Sequence, residues 1–212
     1  MIKTFSSAML LSLAAAVPAQ ADLFSVKGGM DLWYSDASGK VRTTSIATDN
    51  EVNASVFIAF EHPLPLIPNV RARFNEMETG NVDLSNIDLT LYYQLLDSNL
   101  IELDFGLNYR AYSGSFGTTD LDQSVLQAYG YGKVSLPGTG LFVYADVVGS
   151  DYDSKATSDY QVGLGFRSPV LYLADLSFKV GYREHHVDAK RFDGVAVDVT
   201  QNGWFAGVQL VF

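Results

Sequence analysis

Apolar and polar side chains alternate along most of this chain with a period of two, the spacing that puts successive side chains on opposite faces of an extended strand. The clearest stretch is residues 100–112, where Ile101, Leu103, Phe105, Leu107 and Tyr109 alternate with Glu102, Asp104, Gly106, Asn108 and Arg110. Residues 86–96 repeat the pattern, with Ile87, Leu89, Leu91, Tyr93 and Leu95 set against Asn86, Asp88, Thr90, Tyr92 and Gln94. Turn residues punctuate the runs, and ten strands are predicted: 24–33, 52–61, 69–77, 86–96, 100–112, 125–136, 141–148, 159–167, 176–185 and 200–212. The third and seventh runs are the weakest, and losing that pair would leave eight strands of the same architecture.

Two architectures alternate in this way. A soluble sandwich buries its apolar face and solvates the polar one. A small membrane barrel turns the apolar face to lipid and the polar face inward. The connectors favour the barrel. Those after even-numbered strands are tight or Pro-rich: 62–68, 97–99, 137–140 and 168–175. Those after odd-numbered strands are longer and more polar: 34–51, 114–123, 151–158 and 186–199, with 78–83 a short exception. Short periplasmic turns and long external loops are the barrel habit. The expected fold is therefore an all-β, antiparallel up-and-down transmembrane barrel of about ten strands.

The two chain ends agree with this. Lys3, the apolar residues 8–17 and Ala19-Gln20-Ala21 read as the positive, hydrophobic and cleavage regions of a secretory signal peptide. Residues 1–21 are expected to be removed and residues 22–212 to form the barrel. The apolar core is too short for a membrane helix, which needs about 20 residues. At the other end, Trp204, Ala206, Val208, Leu210 and Phe212 share one face, and Phe205, Gly207, Gln209 and Val211 the other. An amphipathic last strand ending on an aromatic resembles the closing strand of bacterial outer-membrane β-barrels. The resemblance implies recognition by the barrel-assembly machinery, although Leu210 stands where an aromatic is more usual.

The absence of cysteine excludes disulfides, thiolate metal sites and a Cys nucleophile. A net charge of −10 argues against nucleic acid as a partner and leaves a membrane location open. The expected partners are outer-membrane lipid and lipopolysaccharide, and a monomer is expected.

Extending the parity of each strand assigns the charges. Lys27, Arg71, Arg73, Arg110, Lys133, Arg167, Lys179 and Arg183 fall inward, with Asp31, Glu61, Asp88, Glu102, Asp104, Asp146 and Asp159. Phe57, Tyr92, Tyr112, Tyr129, Tyr131, Phe142 and Tyr144 fall inward beside them. A barrel of about eight strands is just filled by its side chains, whereas open channels appear near 16 strands. A packed interior of paired charges is expected, and a narrow channel for small solutes is the alternative. Most other acidic residues lie in loops and strand ends. Asp120 with Asp122, and Asp151 with Asp153, are carboxylate pairs of the kind hard cations prefer. A solvated acidic surface is the simpler reading, and no metal or cofactor site is assigned.

The histidines carry little catalytic promise. His62 lies in a Pro-rich turn. His185 falls inward and His186 outward, beside Glu184 and Asp188. His186 and Asp188 share a face, but a general base also needs a positioned nucleophile or water. Outer-membrane proteases place their acidic residue before the His, whereas Asp188 follows His186; the His-x-Ser of lipid-A deacylases does not occur. Neither Gly-x-Ser-x-Gly nor His-Glu-x-x-His is found. An outer-membrane lipid-modifying enzyme or protease is the least favoured reading, and no catalytic residue is assigned. Gly28-Gly29 lacks the Lys and helix of a phosphate loop and reads as a close-packed strand.

The segment Glu61-His62-Pro63-Leu64-Pro65-Leu66-Ile67-Pro68-Asn69-Val70-Arg71 resembles a motif of a proteobacterial family of small outer-membrane β-barrel proteins. Gly28-Gly29 in the first strand, Trp33 after it and the final Phe212 fit the same family. The resemblance spans the chain and implies a class and a location. The family has no established activity, so a structural or surface-interaction role through acidic external loops is the expectation. Pro63, Pro65 and Pro68 stiffen the turn and remove backbone donors, which would fix strand register.

Overall fold

The computed structural model describes residues 24–41, 43–64, 66–79, 82–116, 119–120, 122–152, 155–171, 174–192 and 195–212. The expected signal peptide lies outside them. The long strands are β1 (Ser25–Val41), β2 (Thr44–Glu61), β3 (Asn69–Thr79), β4 (Val82–Asp97) and β5 (Ile101–Phe116). After a two-residue β6 (Thr119–Asp120) come β7 (Gln123–Ser135), β8 (Leu141–Tyr152), β9 (Lys155–Leu171), β10 (Ala174–Phe192) and β11 (Val195–Val211). Each long strand pairs antiparallel with its neighbour in sequence, and β1 pairs with β11 from Lys27↔Val211 to Val41↔Val197. That last pairing closes ten strands into a barrel with no free edge. Closure satisfies the backbone internally, which lipid requires.

The strands are longer than predicted. β10 has 19 residues, whereas a tilted membrane strand needs only about 9–11. The expected external loops 34–51 and 186–199 are thus largely strand: β1 and β2 pair up to Val41↔Thr44, and β10 and β11 up to Phe192↔Val195. The periplasmic connector predicted at 168–175 is likewise a continuation of β9 and β10. The external extensions escape a lipid-tuned reading because the faces exchange character there. Within the membrane the outward face is apolar and the inward face polar. Above it, Ala37, Val41, Val187 and Val197 point inward and are buried, while Asp36, Ser38 and Asp188 point outward and are exposed.

The predicted parity holds along the membrane part. Met30 and Leu32 on β1, Leu89 and Leu91 on β4, Phe105 and Leu107 on β5, Val180 on β10 and Val208 on β11 are all exposed on the outside. On a closed barrel such a band faces lipid. Aromatics mark both of its edges. Tyr34, Trp204 and Tyr182 lie in register on adjacent strands, and the last two meet edge-on at 5.7 Å. Near the opposite edge, Phe24 stacks on Phe60 at 5.5 Å and Tyr93 leans on Phe105 at 6.3 Å. One bulge between Gln94 and Leu96 shifts the register of β4 against β5, so that Leu95 and Leu96 are both exposed.

Inside, glycines make room for aromatic rings from the next strand. A side chain at Gly29 would meet the Phe57 ring at 2.5 Å, so Gly29 of the Gly-Gly pair is indeed a close-packing position. Its neighbour Gly28 faces outward and has no such contact. The same device recurs at Gly165, directly opposite Phe142, where a Cβ would overlap the ring. Gly165→Val is expected to lower stability by about 1–3 kcal/mol through overpacking. Adding Phe142→Ala should recover part of that loss, as read from urea unfolding midpoints of the two variants. Full additivity of the two losses would show that the ring and the glycine are not coupled.

Candidate functional site

The lumen is built in three storeys. At the external end, Trp33, Val41, Met77, Tyr112, Val125, Val187 and Val197 are buried in an apolar cluster that continues through Phe205 to Tyr144 and Phe142 on the vestibule wall.

Below it lies a layer of ion pairs from opposite walls. Arg110 on β5 holds Asp88 on β4 through both carboxylate oxygens, Nε–Oδ1 at 2.6 Å and Nη2–Oδ2 at 2.7 Å. Its Nη2 also donates to Asp159 on β9 at 2.8 Å. Arg183 on β10 takes Asp159 in the same two-pronged way, at 2.9 and 2.8 Å, and donates to Asn75 on β3 at 2.9 Å. Two cations thus meet two anions. The Arg183 guanidinium lies 4.7 Å from the Trp33 ring, which joins the layer to the apolar storey. A neutral chain runs beside it: Thr90 donates to Asn108, Asn108 to Gln127 and Gln127 to Thr157. Arg110, Asp88, Asn108 and Thr90 have no exposed surface. Ion pairs this deep are held only with good geometry and satisfied hydrogen bonds, and this layer closes the middle of the barrel.

The third storey opens at the end that carries Phe24, Phe212 and the turns at 98–100 and 136–140. It is a vestibule of about 410 Å³, rimmed by Asn99, Leu100 and residues 136–140. Its wall holds Lys27 bonded to Glu61 at 2.7 Å, Lys133 bonded to Glu102, and Arg167 beside Asp175 at 3.9 Å. Tyr92 donates to Glu61 at 2.7 Å and packs edge-on against Tyr129. At the floor, Arg71 and Arg73 converge on a single oxygen, Asp146 Oδ2, at 2.6 and 3.0 Å. Lys179 reaches Asp31 at 3.1 Å beside them.

All fifteen charged residues assigned inward by parity face the lumen or its mouth. Asp175 joins them. It was predicted to lie in a connector, and the extra length of β10 carries it to the rim. The vestibule itself was not anticipated. Parity gives the face of a residue but not whether its storey is filled, and the gap depends on how far large side chains reach across the barrel.

The histidines fall where parity put them. His185 is buried, and its Nε2 lies 3.2 Å from Arg110 Nη1 and 2.9 Å from the Tyr112 hydroxyl. Because Arg110 can only donate, Nε2 accepts, which leaves the ring hydrogen on Nδ1 beside Met77 Sδ. His185 is thus a packing residue under the apolar storey. His186 sits on the outer face, 2.8 Å from the Thr200 hydroxyl, and Asp188 is exposed above it. His62 organises the turn: its backbone N–H donates to Asn69, and its Nδ1 accepts from the Leu64 N–H. Asp122 and Asp151 are exposed; Asp153 lies outside the described residues. Among the described residues no group of three or more His, Cys, Asp or Glu could hold a metal ion.

No known family and no curated protein matches the chain. Among solved structures, the outer membrane protease OmpT from Escherichia coli matches 93% of this chain and 99% of its own with a TM-score of 0.51 at 7% identity. An outer membrane channel from Pseudomonas putida F1 matches 93% of this chain and 97% of its own at 10% identity, with a TM-score of 0.48. At 7% identity the first of these shares the fold alone with this chain. The closed sheet, the apolar outer belt with aromatic edges and the polar lumen make this chain a small outer-membrane β-barrel.

Proposed function

We propose that this chain is a non-conducting, non-enzymatic barrel that meets its partners through the external ends of its strands. The single observation behind this reading is the closed lumen, with an apolar storey resting on the Arg110–Asp88–Asp159–Arg183 layer. A solute path would have to break that layer. The strand extensions beyond Tyr34 and Trp204 instead offer a surface on which Asp36, Asp188 and Asp198 are exposed. Lipopolysaccharide and other envelope proteins are the partners such a surface would meet, the former through shared divalent cations. Membership of the family resembled by the Pro-rich turn, and delivery by the barrel-assembly machinery as a monomer, belong to the same proposal.

Two measurements test it. Protein reconstituted in planar bilayers is expected to give no single-channel steps above the lipid background; reproducible steps would establish the channel reading instead. A photoactivatable label on Ser38→Cys, on the exposed face of the β1–β2 extension, is expected to yield adducts with lipopolysaccharide or an envelope protein on intact cells. Labelling that yields no adduct would remove the surface role.

A further inference from the structure

The vestibule floor differs from the layer above it in its charge stoichiometry. In the central layer each arginine grips a carboxylate with two nitrogens. At the floor Arg71 and Arg73 share one oxygen of Asp146 and contribute one nitrogen each. Lys179 is matched by Asp31, so one positive charge is in excess there. Unpaired donors also outnumber unpaired acceptors, which at the floor are the two buried carboxylate oxygens of Asp31 beside Lys179. Arg71 Nε and Nη2, Arg73 Nε, Gln161 Nε2 and the Tyr144 hydroxyl are buried with no hydrogen-bond partner among the described residues. All four residues line the same cavity. Buried polar atoms are nearly always paired, and unpaired donors on charged groups are the costliest exceptions.

From this arrangement we infer that the vestibule floor is a binding site for a small oxyanion, a carboxylate or a phosphate, held between Arg71 and Arg73. The guanidinium is a planar fork that matches either group through two parallel hydrogen bonds. Arg71 lies 4.5 Å from the Tyr129 ring and Arg73 lies 5.8 Å from Phe57, so aromatic faces support both. Each is tied to Asp146 at one nitrogen only, so the rest of each fork can turn towards an entering anion. Gln161 is the cross-strand neighbour of Asp146 and brings a neutral donor to the same place. The cavity has the size of a small-molecule site, for which about 300–1,000 Å³ is usual, and it opens past the half-exposed Arg167 at the end of the barrel that holds Lys27 and Val211. Asp104, nearer the mouth, carries a carboxylate oxygen without a partner. The vestibule is therefore not cationic throughout, and its excess of positive charge is confined to the floor.

The test uses the folded mature protein in detergent micelles, titrated separately with sodium phosphate and sodium acetate against sodium chloride at equal ionic strength. A saturable rise of the thermal unfolding midpoint is expected with phosphate, acetate or both, and the lower half-saturation names the preferred source. Arg73→Gln leaves Arg71 and Asp146 as a one-to-one pair. It should still fold and weaken half-saturation at least about tenfold, the worth of one charge-assisted hydrogen bond. Gln161→Glu supplies a carboxylate from within and should abolish the response while raising the midpoint in chloride alone. A wild-type response no different from chloride would overturn the site, and so would unchanged half-saturation in both variants.

Discussion

Arg110→Met is expected to cost about 3–5 kcal/mol of folding stability, the loss that follows when one partner of a buried ion pair is removed. Arg110 has no exposed surface, and its guanidinium satisfies Asp88 twice and Asp159 once. Without it, Asp159 keeps Arg183, but Asp88 retains only the amide of Asn86 as a described partner at its Oδ1. An anion is then left inside a closed barrel. Urea unfolding in lipid vesicles measures the loss. The double variant Arg110→Met with Asp88→Leu separates two causes. If the uncompensated carboxylate is the main cost, the double variant is more stable than Arg110→Met alone, with coupling of about 0.5–3 kcal/mol, as for neighbours in one network. A single variant within about 1 kcal/mol of the wild type, no more than an exposed pair is worth, would show that the layer does not hold the β4–β5 and β9–β10 walls together.

The elements of this layer were legible in the sequence one at a time. Period two, anchored on Ile101 and Leu103, put Glu102, Asp104 and Arg110 on the inner face, and the same rule placed Asp88, Asp159 and Arg183. The rule specifies sidedness because a strand has only two faces. It carries no information on depth. Whether Arg110 meets Asp88 or Asp146 depends on register between strands, which is set by turn geometry and bulges such as that between Gln94 and Leu96. The gap beside Arg71 and Arg73 was hidden for the same reason. The external extensions were missed for a different one: Val41, Val187 and Val197 invert the apolar face, so an outward lipid pattern stops at Tyr34 although the strand does not. The Gly165–Phe142 and Gly29–Phe57 contacts show what a sequence reading can recover only in kind. A glycine in a strand signals close approach, but the ring that approaches comes from the neighbouring strand.

The lipid-facing belt makes the second large prediction. Leu164 is 60% exposed on the outer face of β9 and lies in register with Val180, which in turn faces Ala206. Phe166 lies one outward position below it, and Val162 then Tyr160 lie above, so Leu164 sits well inside the apolar band. Leu164→Arg is expected to destabilise the barrel by about 2–4 kcal/mol, the depth-dependent cost of a basic residue near the bilayer midplane. The same change at Ser38, outward on β1 beyond Tyr34, should cost no more than about 1 kcal/mol. Both substitutions add one guanidinium to an exposed position on a strand, so the charge introduced is common to the pair and the surrounding medium is the main difference. Unfolding in phosphatidylcholine vesicles should therefore separate the two variants by roughly the full midplane penalty. In water, an exposed leucine replaced by arginine would be nearly neutral. Equal effects at both positions in vesicles would mean that lipid does not cover Leu164, and the membrane span would then have to be placed elsewhere along the strands.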